Sequence, residues 1–188
     1  GLYADAIRRE LPEEGILVNE MTQVGYYSNQ GFPVYRPRTF ITAGYQGTLG
    51  YGFPTALGVK VGNPDTPVVS IAGDGGFMFG VQELATMVQY GINTVVVVFN
   101  DNAYGNVRRT QQTSFNGRTI ASELHNPDFV KLAESFGMAG HRAESPEALR
   151  ITLKQALAAD APVLIEVPLE VMPNPFAVFA APPELIER

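Results

Sequence analysis

The amino-acid sequence predicts an α/β domain with a doubly wound, mostly parallel sheet and helices on both faces. Three observations predict it. Two β-branched runs, Val68 to Ala72 and Val95 to Phe99, break into polar turns that each carry an aspartate, Gly73-Asp74-Gly75-Gly76 and Asn100-Asp101. Buried parallel strands with their carboxyl-end loops side by side read this way. Between the runs, Gln82 to Tyr90 has a helical pattern with Leu84, Met87 and Val88 on one stripe and Gly91 suited to a left-handed cap. The strand, loop, helix and second strand together have the length of a right-handed parallel crossover.

The remaining elements follow in order. A short helix is expected from Tyr3 to Leu11, with Ile7 and Leu11 on one face and Pro12 closing it. Ile16 to Val18 reads as a strand. Gly25 to Arg38, rich in Tyr, Asn, Gly and Pro without clear period, reads as a loop or an irregular turn of helix. Phe40 to Thr42 is a short strand, and Pro54 suits the first turn of a helix through Leu57 and Val61. Gly62-Asn63-Pro64-Asp65 is a turn. Thr110 to His125 is polar and patternless, and reads as a functional or mobile loop. Asn126 is expected to cap a helix that Pro127 opens and whose stripe is Phe129, Leu132, Ala133 and Phe136 up to Gly137. Ser145-Pro146-Glu147 starts another helix with Leu149, Leu153 and Leu157 inward, and Val163 to Val167 is the last strand. The proline-rich tail from Pro168 reads as an arm lying over a neighbour or as disorder.

The bulk numbers narrow the function. A chain of 188 residues suits one domain with a sizeable core. A net charge of −6 leaves no basic face for nucleic acid. No apolar run reaches the roughly 18 residues of a membrane span, no signal peptide is apparent, and a cytoplasmic setting is expected. With no cysteine there is no disulfide, thiolate zinc site or iron–sulfur cluster within the chain.

Open α/β sheets bind ligands at the carboxyl ends of their strands. Gly73-Asp74-Gly75-Gly76 offers backbone N–H groups to a phosphate, since glycine lets main chain approach a ligand closely. The Asp74 carboxylate would repel that phosphate unless a cation stood between them, and Asp101 offers a second carboxylate. Mg²⁺ takes oxygen ligands at about 2.0–2.1 Å, commonly one or two carboxylates with phosphate oxygens and water. A dinucleotide site fits less well, because Gly73-Asp74-Gly75-Gly76-Phe77-Met78 lacks the third glycine of G-x-G-x-x-G. Arg108-Arg109, the basic pair near the motif, reads as solvated loop or as a contact to an acidic substrate or a neighbouring subunit. Tyr104 either donates its hydroxyl to a phosphate or packs. His125 and His141 read as structural.

Gly73-Asp74-Gly75, the spacer Gly76 to Phe99, and Asn100-Asp101 resemble the GDG…NN signature of thiamine diphosphate enzymes, whose spacer has this length. The resemblance implies the thiamine diphosphate-binding fold, with Mg²⁺ held by the side chains of Asp74 and Asp101 and the backbone carbonyl of Ala103. Asp101 departs from the asparagine more usual there and adds a negative charge. Gly47-Thr48-Leu49-Gly50-Tyr51-Gly52-Phe53-Pro54 is similar to the GxLGFxLP-like segment of the acetolactate synthase, benzoylformate decarboxylase and pyruvate decarboxylase group. That similarity implies that Leu49 bends the cofactor and that the Gly47 carbonyl accepts from its aminopyrimidine. Asn19-Glu20-Met21-Thr22-Gln23 resembles, more loosely, the loop that reaches the diphosphate, through Thr22 and Gln23.

The family's activating glutamate sits on a separate pyrimidine-binding domain, which nothing in this chain resembles. The resemblance therefore implies the C-terminal domain of an acetolactate-synthase-like enzyme acting on a 2-oxo acid, either excised from a longer polypeptide, the favoured expectation, or a separate subunit of a two-chain enzyme. The pyrimidine domain would come from the same or a partner chain. Alone, the domain is expected to bind cofactor weakly and to be inactive. A homo-oligomer is expected, driven by an apolar patch of Leu49, Tyr51, Phe77 and Phe79. The contrasting expectation is a non-catalytic Mg²⁺–phosphate binding or regulatory module.

Overall fold

A computed structural model describes residues 1–170 and residue 174. In chain order the elements are α1 (Leu2–Glu10), β1 (Ile16–Asn19), α2 (Gln23–Gly31), β2 (Phe40–Thr42), α3 (Gly52–Gly62), β3 (Val68–Gly73) and α4 (Asp74–Met78). They continue with α5 (Glu83–Gln89), β4 (Val95–Asn100), α6 (Gly105–Ser114), α7 (Phe129–Ser135), β5 (Ala139–Arg142), α8 (Pro146–Ala158) and β6 (Val163–Pro168). The strands form one six-stranded sheet in the order β2-β1-β3-β4-β6-β5. Every pairing is parallel.

The central strands are apolar at nearly every position because both faces are covered. In β4, Val95, Val97 and Phe99 enter a core with Ile7, Leu11, Leu149 and Leu153, under α1, α2 and α8. Val96 and Val98 enter the opposite core with Phe53, Phe77, Leu84, Met87 and Phe129, under α3, α4, α5 and α7. One strand thus feeds two layers by its period of two. Helices lie on both faces, as the doubly wound reading requires. Among the described residues no helix is long and apolar enough to cross a membrane.

Several expectations are corrected. Phe77 is not on the surface: it is 1% exposed, with its ring 5.3 Å from Phe53 and 5.7 Å edge-on from Phe129. Of the expected patch only Phe79 is well exposed, while Leu49 and Tyr51 are half-buried. Gly25 to Arg38 is loop only in its second half, since α2 runs regularly through the first half to Gly31. A Cβ at Gly25 would collide with the Glu20 carbonyl, so this glycine serves close helix–strand approach rather than a turn. Thr110 to His125 is not a structureless loop. Helix α6 occupies it to Ser114, the Gln111 side chain bonds both ways with the Ile120 backbone, and Ser122 to Leu124 bridge back to Asn102–Tyr104. Asn126 does not cap α7; Asp128 does, accepting from the Val130 and Lys131 amides. Ser145 caps α8 as expected. The tail expectation falls, beyond Glu170, outside the described residues.

Candidate active site: a carboxylate-lined crevice at the sheet edge

Chain direction dictates where the site lies. From β1 the chain proceeds to β2 on one side, and from β3 to β4 on the other. Loops that part in this way leave a crevice at the carboxyl ends of neighbouring strands. The crevice here is a cavity of about 170 Å³. Its floor is Gly73 to Gly76 after β3, its walls are Met21 to Gln23 after β1 and Asp101, Ala103 and Tyr104 after β4, and Leu49 enters from the segment before α3.

Asp74 is 2% exposed and receives an N–H···O bond of 2.6 Å from Asn126 Nδ2 to its Oδ2. Burial pushes its carboxyl up to about 6, and repulsion from Asp101 adds to that; the Asn126 amide and the Gly75 and Ala103 backbone N–H groups pull the other way. Burial also raises Asp101, against the pull of Arg108. The Arg108 guanidinium meets Asp101 Oδ2 at 3.2 Å and Glu123 Oε2 at 3.1 Å. Arg108 is therefore a partner of Asp101 inside the domain and not a solvated loop residue. Tyr104 and Asn102 pair through their backbones with Ser122 and Leu124 across an antiparallel bridge at Ala103. That bond pattern leaves the backbone groups of Ala103 itself outside the ladder, and its N–H turns to the aspartates.

The residues fit a metal-bridged diphosphate. Two carboxylates, buried Asp74 and half-buried Asp101, face one cavity with their charged forms disfavoured, which a divalent cation would reverse. The donors are oxygens, as Mg²⁺ prefers. Gln23 Oε1 is buried without a hydrogen-bond partner at the cavity wall. The glycines leave room that side chains would fill. A Cβ at Gly75 would stand 2.6 Å from the Tyr104 ring, and one at Gly105 2.5 Å from Asp101 Oδ2. Among the described residues no three Asp, Glu, His or Cys side chains cluster as a self-sufficient metal site. The remaining ligands would have to come from backbone, water or phosphate.

The structure thus brings Thr22, Gln23, Leu49, Gly73, Asp74, Gly75, Gly76, Asp101, Ala103 and Tyr104 to one cavity. It does not bring Gly47 to the wall. Gly47 has a left-handed backbone (φ 53°) and packs behind Met21, whose sulfur would lie 2.6 Å from a Cβ there. Sequence reasoning missed Asn126, Asn100, Glu166 and Glu20. Asn126 also donates to Asn100 Oδ1 at 3.0 Å, and Asn100 donates to buried Glu166 at 2.8 Å. A detectable signal existed for Glu166, the one charged residue in the apolar run of β6.

A doubly wound α/β domain with a ligand crevice between two strand-end aspartates is the class that fold and site define. Residues 20–167 match the family model described as thiamine pyrophosphate enzyme, C-terminal TPP binding domain, and the chain belongs to that family. It is 40% identical over 149 residues to a probable acetolactate synthase large subunit of Methanococcus aeolicus, covering 79% of this chain and 24% of that protein. It is 41% identical over 143 residues to an acetolactate synthase of Bacillus subtilis, covering 76% of this chain and 25% of that one. The thiamine diphosphate-dependent 4-hydroxybenzoylformate decarboxylase of Rhodococcus jostii RHA1 superimposes with a TM-score of 0.82 at 32% identity, over 91% of this chain and 32% of that one. The chain thus spans about a quarter of the length of these two sequence relatives.

Proposed function

We propose that this domain clamps thiamine diphosphate through Mg²⁺ and serves as the C-terminal part of a decarboxylase or carboligase acting on a 2-oxo acid. The observation that carries the reading is a pair of carboxylates, buried Asp74 and half-buried Asp101, facing one glycine-floored cavity. A diphosphate can settle on the Gly75 and Gly76 backbone only if a cation masks those charges. Asp74, Asp101 and the Ala103 carbonyl would hold that cation, and Thr22, Gln23 and Tyr104, which line the same cavity, would hold the diphosphate. Leu49, which enters the cavity, would bend the cofactor as an apolar wedge, and the Gly47 carbonyl would accept from its aminopyrimidine. When bound, the cofactor supplies the electron sink that lets a 2-oxo acid lose CO₂.

Asn126 restrains the Asp74 carboxylate, and Arg108 offsets part of the charge that Asp101 adds at a position where the family more often has asparagine. No step of proton removal from the cofactor is assigned to this chain. That step belongs to a glutamate on a pyrimidine-binding domain of the same polypeptide or of a partner chain, and assembly with it, in a homo-oligomer, would complete the site.

The test is turnover. The pure chain should bind thiamine diphosphate with Mg²⁺ yet release no CO₂ from pyruvate or benzoylformate, and adding a pyrimidine domain that carries the glutamate should start the reaction. Decarboxylation by the chain alone would overturn the division of labour.

A further inference from the structure

Glu20 follows β1 and is 1% exposed. Its Oε1 accepts from the Gly50 N–H at 2.7 Å and its Oε2 from the Gly52 N–H at 2.9 Å. The first amide belongs to the peptide that follows Leu49, and the second opens α3. The same carboxylate lies under the glycine floor of the cavity. A Cβ at Gly76 would collide with Glu20 Oε1 and would stand 3.5 Å from Leu49 Cδ2. Gly50 itself is held at φ 80°, where a side chain would be strained and would meet Phe79 at 2.7 Å. Burial raises the Glu20 carboxyl, and the two amides oppose that.

Burying a carboxylate is costly, so a residue that only filled this space would better be apolar or an amide. Two converging N–H donors explain the choice. A carboxylate only accepts and satisfies both, whereas glutamine would turn its own NH₂ toward one of them. The peptide so held sets the direction in which Leu49 leaves the backbone. Leu49 reaches the cavity; Glu20 does not line it.

We propose that Glu20 is a positioning residue for the organic half of the cofactor: by holding the Gly50 and Gly52 amides it sets how far Leu49 reaches into the cavity, without taking part in the grip on the diphosphate. This rests on the cofactor reading above.

The test compares Glu20→Gln with wild type in two measurements. Titration calorimetry with Mg²⁺ uses thiamine diphosphate and, separately, inorganic diphosphate as probes. Hydrogen exchange of the ligand-free chain follows the Gly50, Gly52, Gly75 and Ala103 amides. The variant should bind inorganic diphosphate within about twofold of wild type and thiamine diphosphate about tenfold more weakly, because the Leu49 segment would then have to be ordered on binding. Its Gly50 and Gly52 amides should exchange faster while Gly75 and Ala103 are unchanged. Equal weakening of both probes, no weakening of either, or unchanged Gly50 and Gly52 exchange would overturn the proposal while leaving the cofactor reading intact. A wild-type chain that binds neither probe removes the cofactor reading and this proposal with it. Should Glu20→Gln fail to fold, Glu20→Asp, which withdraws the carboxylate by one methylene, must give the same ranking of the two probes.

Discussion

Two groups of acidic side chains sit at the carboxyl edge of this sheet, and they are built on opposite plans. In one, the Arg142 guanidinium bonds Glu166 Oε2 from both Nε, at 2.9 Å, and Nη2, at 2.8 Å, and reaches Asp128 at 3.3 Å. Glu166 is 4% exposed, yet its remaining oxygen takes the Asn100 amide, so charge and hydrogen bonds are both answered within the chain. In the other, Asp74 and Asp101 repel each other beside a cavity, and Arg108, shared with Glu123, reaches Asp101 but not Asp74. The first group is complete as it stands. The second leaves its charges unanswered within the chain, as the proposed cation site requires, and this contrast distinguishes the two groups more sharply than burial does. Asn100 and Asn126 join the two, so the finished network steadies the unfinished one.

Breaking the complete network should have the largest effect. Arg142→Ala leaves Glu166 buried without its cation and should cost about 3 kcal/mol in chemical denaturation, the low end for a broken buried pair because Arg142 is 43% exposed and partly screened by water. The incomplete site should respond with the opposite sign. Asp74 has its folded pKa raised from 3.8 to about 6, so its neutral form is the one that folding favours. Its contribution is present below the unfolded value and lost as pH rises through about 6. Asp74→Asn mimics the neutral form. Without ligand it should stabilise the fold at pH 7 by about 1–2 kcal/mol, which is what remains of the ~3 kcal/mol equivalent of the shift once asparagine gives up an acceptor toward the Gly75 and Ala103 amides. The gain should fade below about pH 4, and denaturation midpoints across that range check it. A smaller effect sharpens the contrast. Asp128→Ala removes the cap of α7 and the outer partner of Arg142, and should lower the denaturation midpoint slightly with no change in cofactor affinity.

Much of this was legible before the structure. The strands were, because a run such as Val95 to Phe99 is apolar on both faces, and the pairing of Asp74 with Asp101 followed from two such strands being neighbours. Helix α8 was legible from Ser145-Pro146 and a clean stripe. Helix α6 was not, because it buries no residue and leaves no apolar period to read. Helix α2 was hidden in part by Gly25, which serves close packing and not a turn. Asn126 was misread because Asn-Pro-Asp offers two capping residues, and only the fold decides that Asp128 caps while Asn126 turns to Asp74. Phe77 follows a glycine loop and looked like rim, but the immediate start of α4 turns its ring into the core.

The most direct measurement is the melting temperature of this chain with thiamine diphosphate plus Mg²⁺, with each alone, and with both for Asp74→Asn. Ligand at 100 times its dissociation constant stabilises by about 2.7 kcal/mol, or roughly 5–10 °C for a domain of this size. A metal-bridged diphosphate gives a shift of that order that needs both components and disappears in Asp74→Asn. An equal shift without metal, one that survives in the variant, or none at millimolar cofactor would contradict it.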